Sequence, residues 1–230
     1  MKFKNTEVWG FQHALRGMRN PLESWNKSDS SWKFVEDPSI INPNDEVKFV
    51  IGKNDLKLAQ KLIRAGSEHR KFMRQIFVSV DITAPLFWWK EFDTYKVGTV
   101  ANSNSTMHKL ATTPITLDCF ETDSYEPSIL ITRTNNVYDY VNGILDLCET
   151  LRQKYLATKN KRYWKELIRW LPESWLQTRT VTMSYENLLN MVHQRKNHKL
   201  TEWSESFIKW ARTLPYAQEL LFIDETEEEN

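Results

Sequence analysis

Between Lys96 and Lys109 the chain carries five consecutive amide and hydroxyl side chains, Asn102, Ser103, Asn104, Ser105 and Thr106, followed by His108 and Lys109. Neutral donors and acceptors at this density suit reading of a base edge or another neutral group, while His108 or Lys109 would supply a cation for a phosphate. A solvated pair at a loop exit is the plainer reading of those last two. Upstream, Glu91 and Asp93 have the types for acid and base work, although charges at a helix end are ordinarily surface groups. Arg64, His69, Arg70, Lys71 and Arg74 form the most concentrated basic strip, suited to a phosphate-bearing partner and equally to a helix face in water. His193, Arg195, His198 and Glu202 bring possible metal ligands close in sequence. They cross an expected helix break and lack a His-Glu-x-x-His pattern, so no metal site is expected. Trp88-Trp89 could stack on a planar ligand, but mid-helix they fit core or subunit interface better. Glycine-rich phosphate loops, a Gly-x-Ser-x-Gly elbow and a Cys-His arrangement are all missing, which argues against dinucleotide-binding folds, nucleotide triphosphatases and triad hydrolases.

These residues need elements to position them. From 75 to 83, Ile76, Val78, Val80 and Ile82 alternate with Phe77, Ser79, Asp81 and Thr83, the period of a half-buried strand. Pro85 suits the first turn of a following helix that reaches Asp93 or Lys96. Residues 97–111 read as loop, because side chains of this composition compete for backbone hydrogen bonds. Residues 135–156 carry apolar positions at helical spacing and predict the longest helix; a second follows over 161–170. Strands are expected at 46–51 and 178–184, and helices at 8–19, after Asn54 or Asp55 as cap, at 186–196 and at 201–213 with Thr201 as cap.

This order of blocks resembles the flavin-dependent thymidylate synthases. Their Glu-His before a strand, Ala-Pro opening a helix and Arg-His-Arg-x-x-Ser-x-Asn-Glu-x-Ser-x-Arg-Tyr motif are similar in layout to Glu68-His69, the strand before Ala84-Pro85, and residues 94–107. Leu171-Pro172, the Thr-rich strand, the helix ending at Arg195, and Leu214-Pro215 continue the likeness over residues 46–222. The resemblance implies an α/β (α+β) fold, a curved mixed or antiparallel sheet with helices on one side and a helical insert at 135–171, like that of the thymidylate synthase complementing proteins. Gly10, Gly17, Pro21, Pro38 and Pro43 punctuate 1–45 into a wrapping arm, and the charge run marks 223–230 as an acidic tail. The resemblance also implies a homo-oligomer, a tetramer, with sites between subunits, and binding of FAD and a nucleotide.

Carried over position by position, the resemblance puts flavin contacts at His69, Thr94, Tyr95 and Lys96. Nucleotide contacts fall at Asn102, Asn104, Ser105, Thr106 and Arg195. Catalytic residues are not assigned. Most positions that carry a charge in the family are neutral here, and the arginine two positions into the penultimate helix has become Glu186. Either the pocket is retuned for another ligand, methylation of a pyrimidine nucleotide included, or the fold persists as a non-catalytic scaffold or binding protein. Were the polar loop buried, each unsatisfied group would cost about 1 to 3 kcal/mol, so a ligand would be required.

Composition narrows the rest. Lysine and arginine number 31 against 30 acidic residues, so there is no global field to gather nucleic acid, and such a partner would need a local patch. Cys119 and Cys148 lack a ligand cluster and read as buried free thiols. Without an apolar run of about 18 residues or an h-region, a cytoplasmic protein is expected. Ten tryptophans are many for 230 residues, and Trp9, Trp25 and Trp32 predict an N-terminal segment that is packed down.

Overall fold

The computed structural model describes residues 1–34 and 47–226. Its elements run β1 (Lys2–Trp9), α1 (Phe11–Arg19), β2 (Ser31–Phe34), β3 (Val47–Val50), α2 (Lys53–Arg64), β4 (Phe77–Pro85), α3 (Leu86–Phe92), β5 (Val100–Ser103), α4 (Thr106–Thr112), α5 (Val137–Thr158), α6 (Lys161–Trp170), β6 (Leu176–Ser184), α7 (Tyr185–Arg195), α8 (Ile208–Arg212) and α9 (Ala217–Leu220). The expected acidic tail beyond 226, residues 35–46 of the expected arm, and Glu46 of the expected strand lie outside the described residues. No described helix is long and apolar enough to cross a membrane.

Four strands form one sheet in the order β1-β4-β6-β5, and β2 pairs with β3 as an antiparallel ribbon. Polar side chains link β4 to β6: Thr83 with Thr178 at 2.7 Å, Thr180 with Asp81 at 2.5 Å and Thr182 with Ser79 at 3.3 Å. Partner numbers rise on one strand as they fall on the other, so the two run antiparallel. Val78, Val80, Ile82 and Ala84 are buried on the opposite face, as the alternation predicts.

The chain divides into two compact units. One comprises Met1–Lys2, Asp81–Thr94 and Ala101–Thr180; the other comprises Phe3–Val80, Tyr95–Val100 and Val181–Asn230. In the first, α5 and α6 pack together, and Leu110, Ile115, Phe120, Cys148, Leu167 and Trp175 form the core. Trp88 and Trp89 are fully buried core residues, and the Trp89 indole N–H donates to the Gln177 carbonyl at 3.0 Å. Glu149 fastens this unit. It accepts two bonds from Arg152, at 2.7 and 2.6 Å, and the Ile115 amide at 2.8 Å, while Arg152 also donates to the Ala111 carbonyl at 3.2 Å.

In the second unit, α2 starts differently from expectation. Its N-cap is Gly52, and the Asn54 and Asp55 amides donate to the Asp29 carboxylate at 2.9 and 3.1 Å. Asp55 is therefore no cap. It points inward, fully buried, and accepts Arg19 Nε at 2.5 Å and the Ser28 and Ser30 hydroxyls at 2.6 Å each. A Cβ at Gly52 would lie 2.2 Å from the Asp29 carboxyl carbon, so only glycine allows that carboxylate to reach the helix end.

Several expectations need correction. Pro85 ends β4 in extended geometry and serves as the N-cap of α3 rather than its first turn. The 97–111 loop contains β5 and α4, because Ser105 caps α4 by accepting the His108 amide and edge pairing orders the rest. β1, unforeseen, takes the first residues assigned to the helix at 8–19. Thr201 has helical dihedrals and makes no side-chain cap, and the turn after it, Glu202–Phe207, is a π-helix that leads into α8. Trp9, Trp25 and Trp32 are not packed down: they keep 45%, 46% and 56% of their surface exposed. Cys148 is buried, whereas Cys119 is only half-buried.

The Arg152 bonds, outweighing burial, lower the Glu149 carboxyl from the usual 4.5 to about 2. A depressed folded-state value stabilises fully above pH 4.5, and the stabilisation is lost as pH falls towards about 2. Melting temperature measured across that window should fall steeply for the native chain, and Glu149→Gln should flatten the fall while lowering the neutral-pH value.

Candidate functional site

His69 lies in the turn between α2 and the short 3-10 segment Lys71–Gln75, exposed along a cleft of about 980 Å³ in the second unit. One wall is the C-terminal end of α1 and the turn after it. The other is the outer side of α2, with Asn54, Leu58 and Leu62, and Phe72 is buried behind. Lys27 and Lys71 place cations at the rim beside His69. Glu68 sits 3.6 Å from Lys71 in an exposed pair that screening makes weak. Arg19 also lines the cleft, but Asp55 holds its Nε. Cationic rim and apolar wall together suit an anionic group attached to a ring.

Arg195, at the end of α7, is held by aromatic groups. Its Nε donates to Tyr95 Oη at 2.8 Å, and Tyr95 Oη donates to Gln194 Oε1 at 2.9 Å. The guanidinium lies 4.9 Å from the centre of the buried Trp203 ring and 5.5 Å from that of Tyr95, which fixes its plane. Val97 O accepts Asn187 Nδ2 at 2.6 Å, anchoring residues 95–100 to α7. Lys96, between these anchors, is exposed.

Glu186 resolves the charge reversal. It is buried and accepts Arg70 Nε at 3.0 and 3.2 Å, and Arg70 Nη2 donates to Asn190 Oδ1 at 3.1 Å. Arg70 therefore leaves the basic strip and becomes a brace from α7 to the turn that carries His69. Sequence inspection misses this because the partners stand 116 positions apart.

In the first unit the polar segment is exposed, so the premise that a buried loop would require a ligand does not hold. β6 employs most of its groups. The Asn104 amide donates to Thr178 O at 2.9 Å, and the Thr178 amide donates to Asn104 Oδ1 at 3.3 Å. Gln177 Nε2 donates to Asn104 O and Thr106 Oγ1, each at 3.2 Å. Ser105 caps α4, and Asn102 stays exposed on β5. Thr94 closes α3 by donating to the Glu91 carbonyl at 2.7 Å. Arg179, which sequence reasoning passed over, donates to Asp93 at 2.7 Å with its guanidinium 4.2 Å from the Trp89 ring centre. The alternating Thr-Arg-Thr run was its only signal.

The expected residues thus form separate groups: His69 with Lys71 and Lys27, Tyr95 with Arg195, and Asn104 with Ser105 and Thr106. Among the described residues no three His, Cys, Asp or Glu side chains gather as metal ligands. His193 instead stands 3.5 Å from Asp224, and His198 Nδ1 accepts the Leu200 amide at 3.2 Å.

No protein-family model matches this sequence, and no curated protein matches it. In three dimensions the chain is similar to two crystal structures of the flavin-dependent thymidylate synthase ThyX from Helicobacter pylori, both with FAD and dUMP. One is 16% identical, with 97% of this chain and 99% of that chain covered, at a TM-score of 0.62. The other is also 16% identical, with 97% and 98% covered, at 0.64. The fold is the α/β fold of those proteins.

Removing one member of a buried ion pair leaves the other charge uncompensated, at about 3 to 5 kcal/mol. Glu186→Ala should therefore lose about 3 kcal/mol in urea unfolding, and Arg70→Met added to it should recover part of that loss.

Proposed function

We propose that this chain is a divergent relative of the flavin-dependent thymidylate synthases that binds a nucleotide or a flavin, FAD first, in the cleft beside His69. A second copy completes the pocket in a homo-oligomer, a tetramer. The observation that carries this reading is the cleft: about 980 Å³, with Lys27, His69 and Lys71 at its rim and Leu58, Leu62 and Phe72 along its wall. FAD presents a pyrophosphate and flat rings, and that lining suits both. Flavin, once bound, supplies a hydride, and a folate would supply the carbon for methylation of a pyrimidine nucleotide. Arg195, its plane fixed by Tyr95 and Trp203, would orient the base, and Lys96 of the same unit would add a contact.

A second reading, a non-catalytic scaffold or binding protein that has lost flavin binding, is favoured by the bonding of Asn104, Ser105 and Thr106 within their own unit. Neutral groups at 94, 95 and 106 also lack the fork of fixed charge that grips phosphate.

Titration with FAD separates the two. Binding should quench flavin fluorescence, and His69→Ala with Lys71→Ala should weaken it about thirtyfold, two lost contacts of about 1 kcal/mol each. A colourless protein that takes up no flavin and no pyrimidine nucleotide would establish the scaffold. Tritium release from dUMP labelled at C5 should stay at background, given the missing arginines.

A further inference from the structure

Three of the ten tryptophans, Trp9, Trp25 and Trp32, stand exposed on the second unit beside two clefts that share Trp32. The first, about 840 Å³, lies between the end of β1, the start of α1 and the β2-β3 ribbon, with Trp9, Phe11, His13, Lys48 and Tyr216 among its lining. The second, about 510 Å³, is lined by Leu15, Arg16, Trp25 and Ser30. Gln12, Trp32 and Phe49 belong to both. Trp32 is held in place: its indole N–H donates to Gln12 Oε1 at 3.2 Å, and its ring meets that of Phe49 edge-on at 5.5 Å. Trp25 is fixed by its N–H to Asn20 Oδ1 at 2.9 Å, and Trp9 stacks on Phe77.

Charge distinguishes this face. In a chain with 31 basic and 30 acidic residues, no aspartate or glutamate among the described residues lines either cleft, whereas His13, Arg16, Arg19 and Lys48 do. Arg19 is held by Asp55, which leaves Arg16, Lys48 and His13, all exposed, to meet an anion. The amides of Phe11, Gln12 and His13 add to this, since Gly10 offers no side-chain cap to α1.

We propose that this face binds single-stranded nucleic acid, with bases in the two clefts that share Trp32 and phosphates against Arg16, Lys48 and His13. Rigid exposed indoles give bases of any sequence a stacking surface, and clefts whose described lining holds no carboxylate tolerate the backbone charge. Each cleft falls within the roughly 300 to 1,000 Å³ range of ligand pockets, room enough for a nucleotide. An isolated planar anion would need only one cleft; two clefts that share lining residues favour a chain. Balanced overall charge argued against a nucleic-acid partner, and the local distribution supplies the patch such a partner needs. The inference does not depend on the His69 cleft.

Anisotropy of a labelled oligothymidylate of about eight nucleotides tests it with the full chain at about 50 mM salt. Two charged contacts, Arg16 and Lys48, predict a slope of log affinity against log salt of about −1.4, and Arg16→Gln or Lys48→Gln should each flatten it by about 0.7. Trp32→Ala should weaken binding about tenfold and Trp32→Phe much less, with circular dichroism melts confirming folding. Should Trp32→Ala fail to fold, Trp25→Ala with the two charge variants carries the test. The proposal is overturned by no binding at low salt, by a folded Trp32→Ala that binds unchanged, by a mononucleotide that binds as tightly as the octamer, or by polyglutamate competing equally well.

Discussion

The buried carboxylate of Asp55 is the constraint on which the second unit's binding surfaces depend. Burial by itself pushes this carboxyl up; the Ser28 and Ser30 hydroxyls and the Arg19 guanidinium together hold it below the usual carboxylate range. Those partners come from α1 and from the turn at 28–30, while Asp55 itself belongs to α2. One anion therefore joins the two walls of the His69 cleft to the segment that carries Trp25 and leads into Trp32. Asp29 reinforces the junction by capping α2, and Ser30 Oγ accepts the Gly52 amide at 3.0 Å. Buried ions of this kind contribute little net stability against an apolar alternative, yet losing a single partner is costly, so their effect is to fix one arrangement.

A related logic governs the positions where the sequence departs from the thymidylate synthase motif. Substituted residues have acquired structural roles: Glu186 braces Arg70, Asn104 and Thr106 bind β6, and Ser105 caps a helix. Arg195, at the position the resemblance matches in register, is oriented by Tyr95 and Trp203. Fixed cations that would grip a phosphate do not stand at the positions the resemblance assigns, and likeness of fold does not carry a reaction with it.

How much was legible in the sequence follows from which interactions are local. β4 was readable because alternation of Val78, Val80 and Ile82 is written in consecutive residues, and α5 and α6 because their apolar stripes repeat every turn. Asp55 looked like a cap, since a buried carboxylate and a capping one are identical in sequence and the deciding partners lie 25 to 36 residues away. β1 was missed because its side chains are mostly exposed and polar, its order coming from the neighbouring strand. The tryptophans were misjudged for a similar reason: composition predicts that large rings are buried, and only the ribbon and α1 together reveal a surface that leaves Trp32 standing. Of the expected site residues, His69 and Arg195 gained surroundings suited to binding, and both depend on contacts across the chain.

Native-state hydrogen exchange at the Asp29 and Ser30 amides, which donate to Asp55 at 3.3 and 3.2 Å, tests the junction directly. If Asp55 holds α1, α2 and the 28–30 turn as one piece, these two amides should exchange as slowly as the centre of α1, opening only when the whole unit does. Exchange at the rate of a free loop, while α1 and α2 stay protected, would contradict the account.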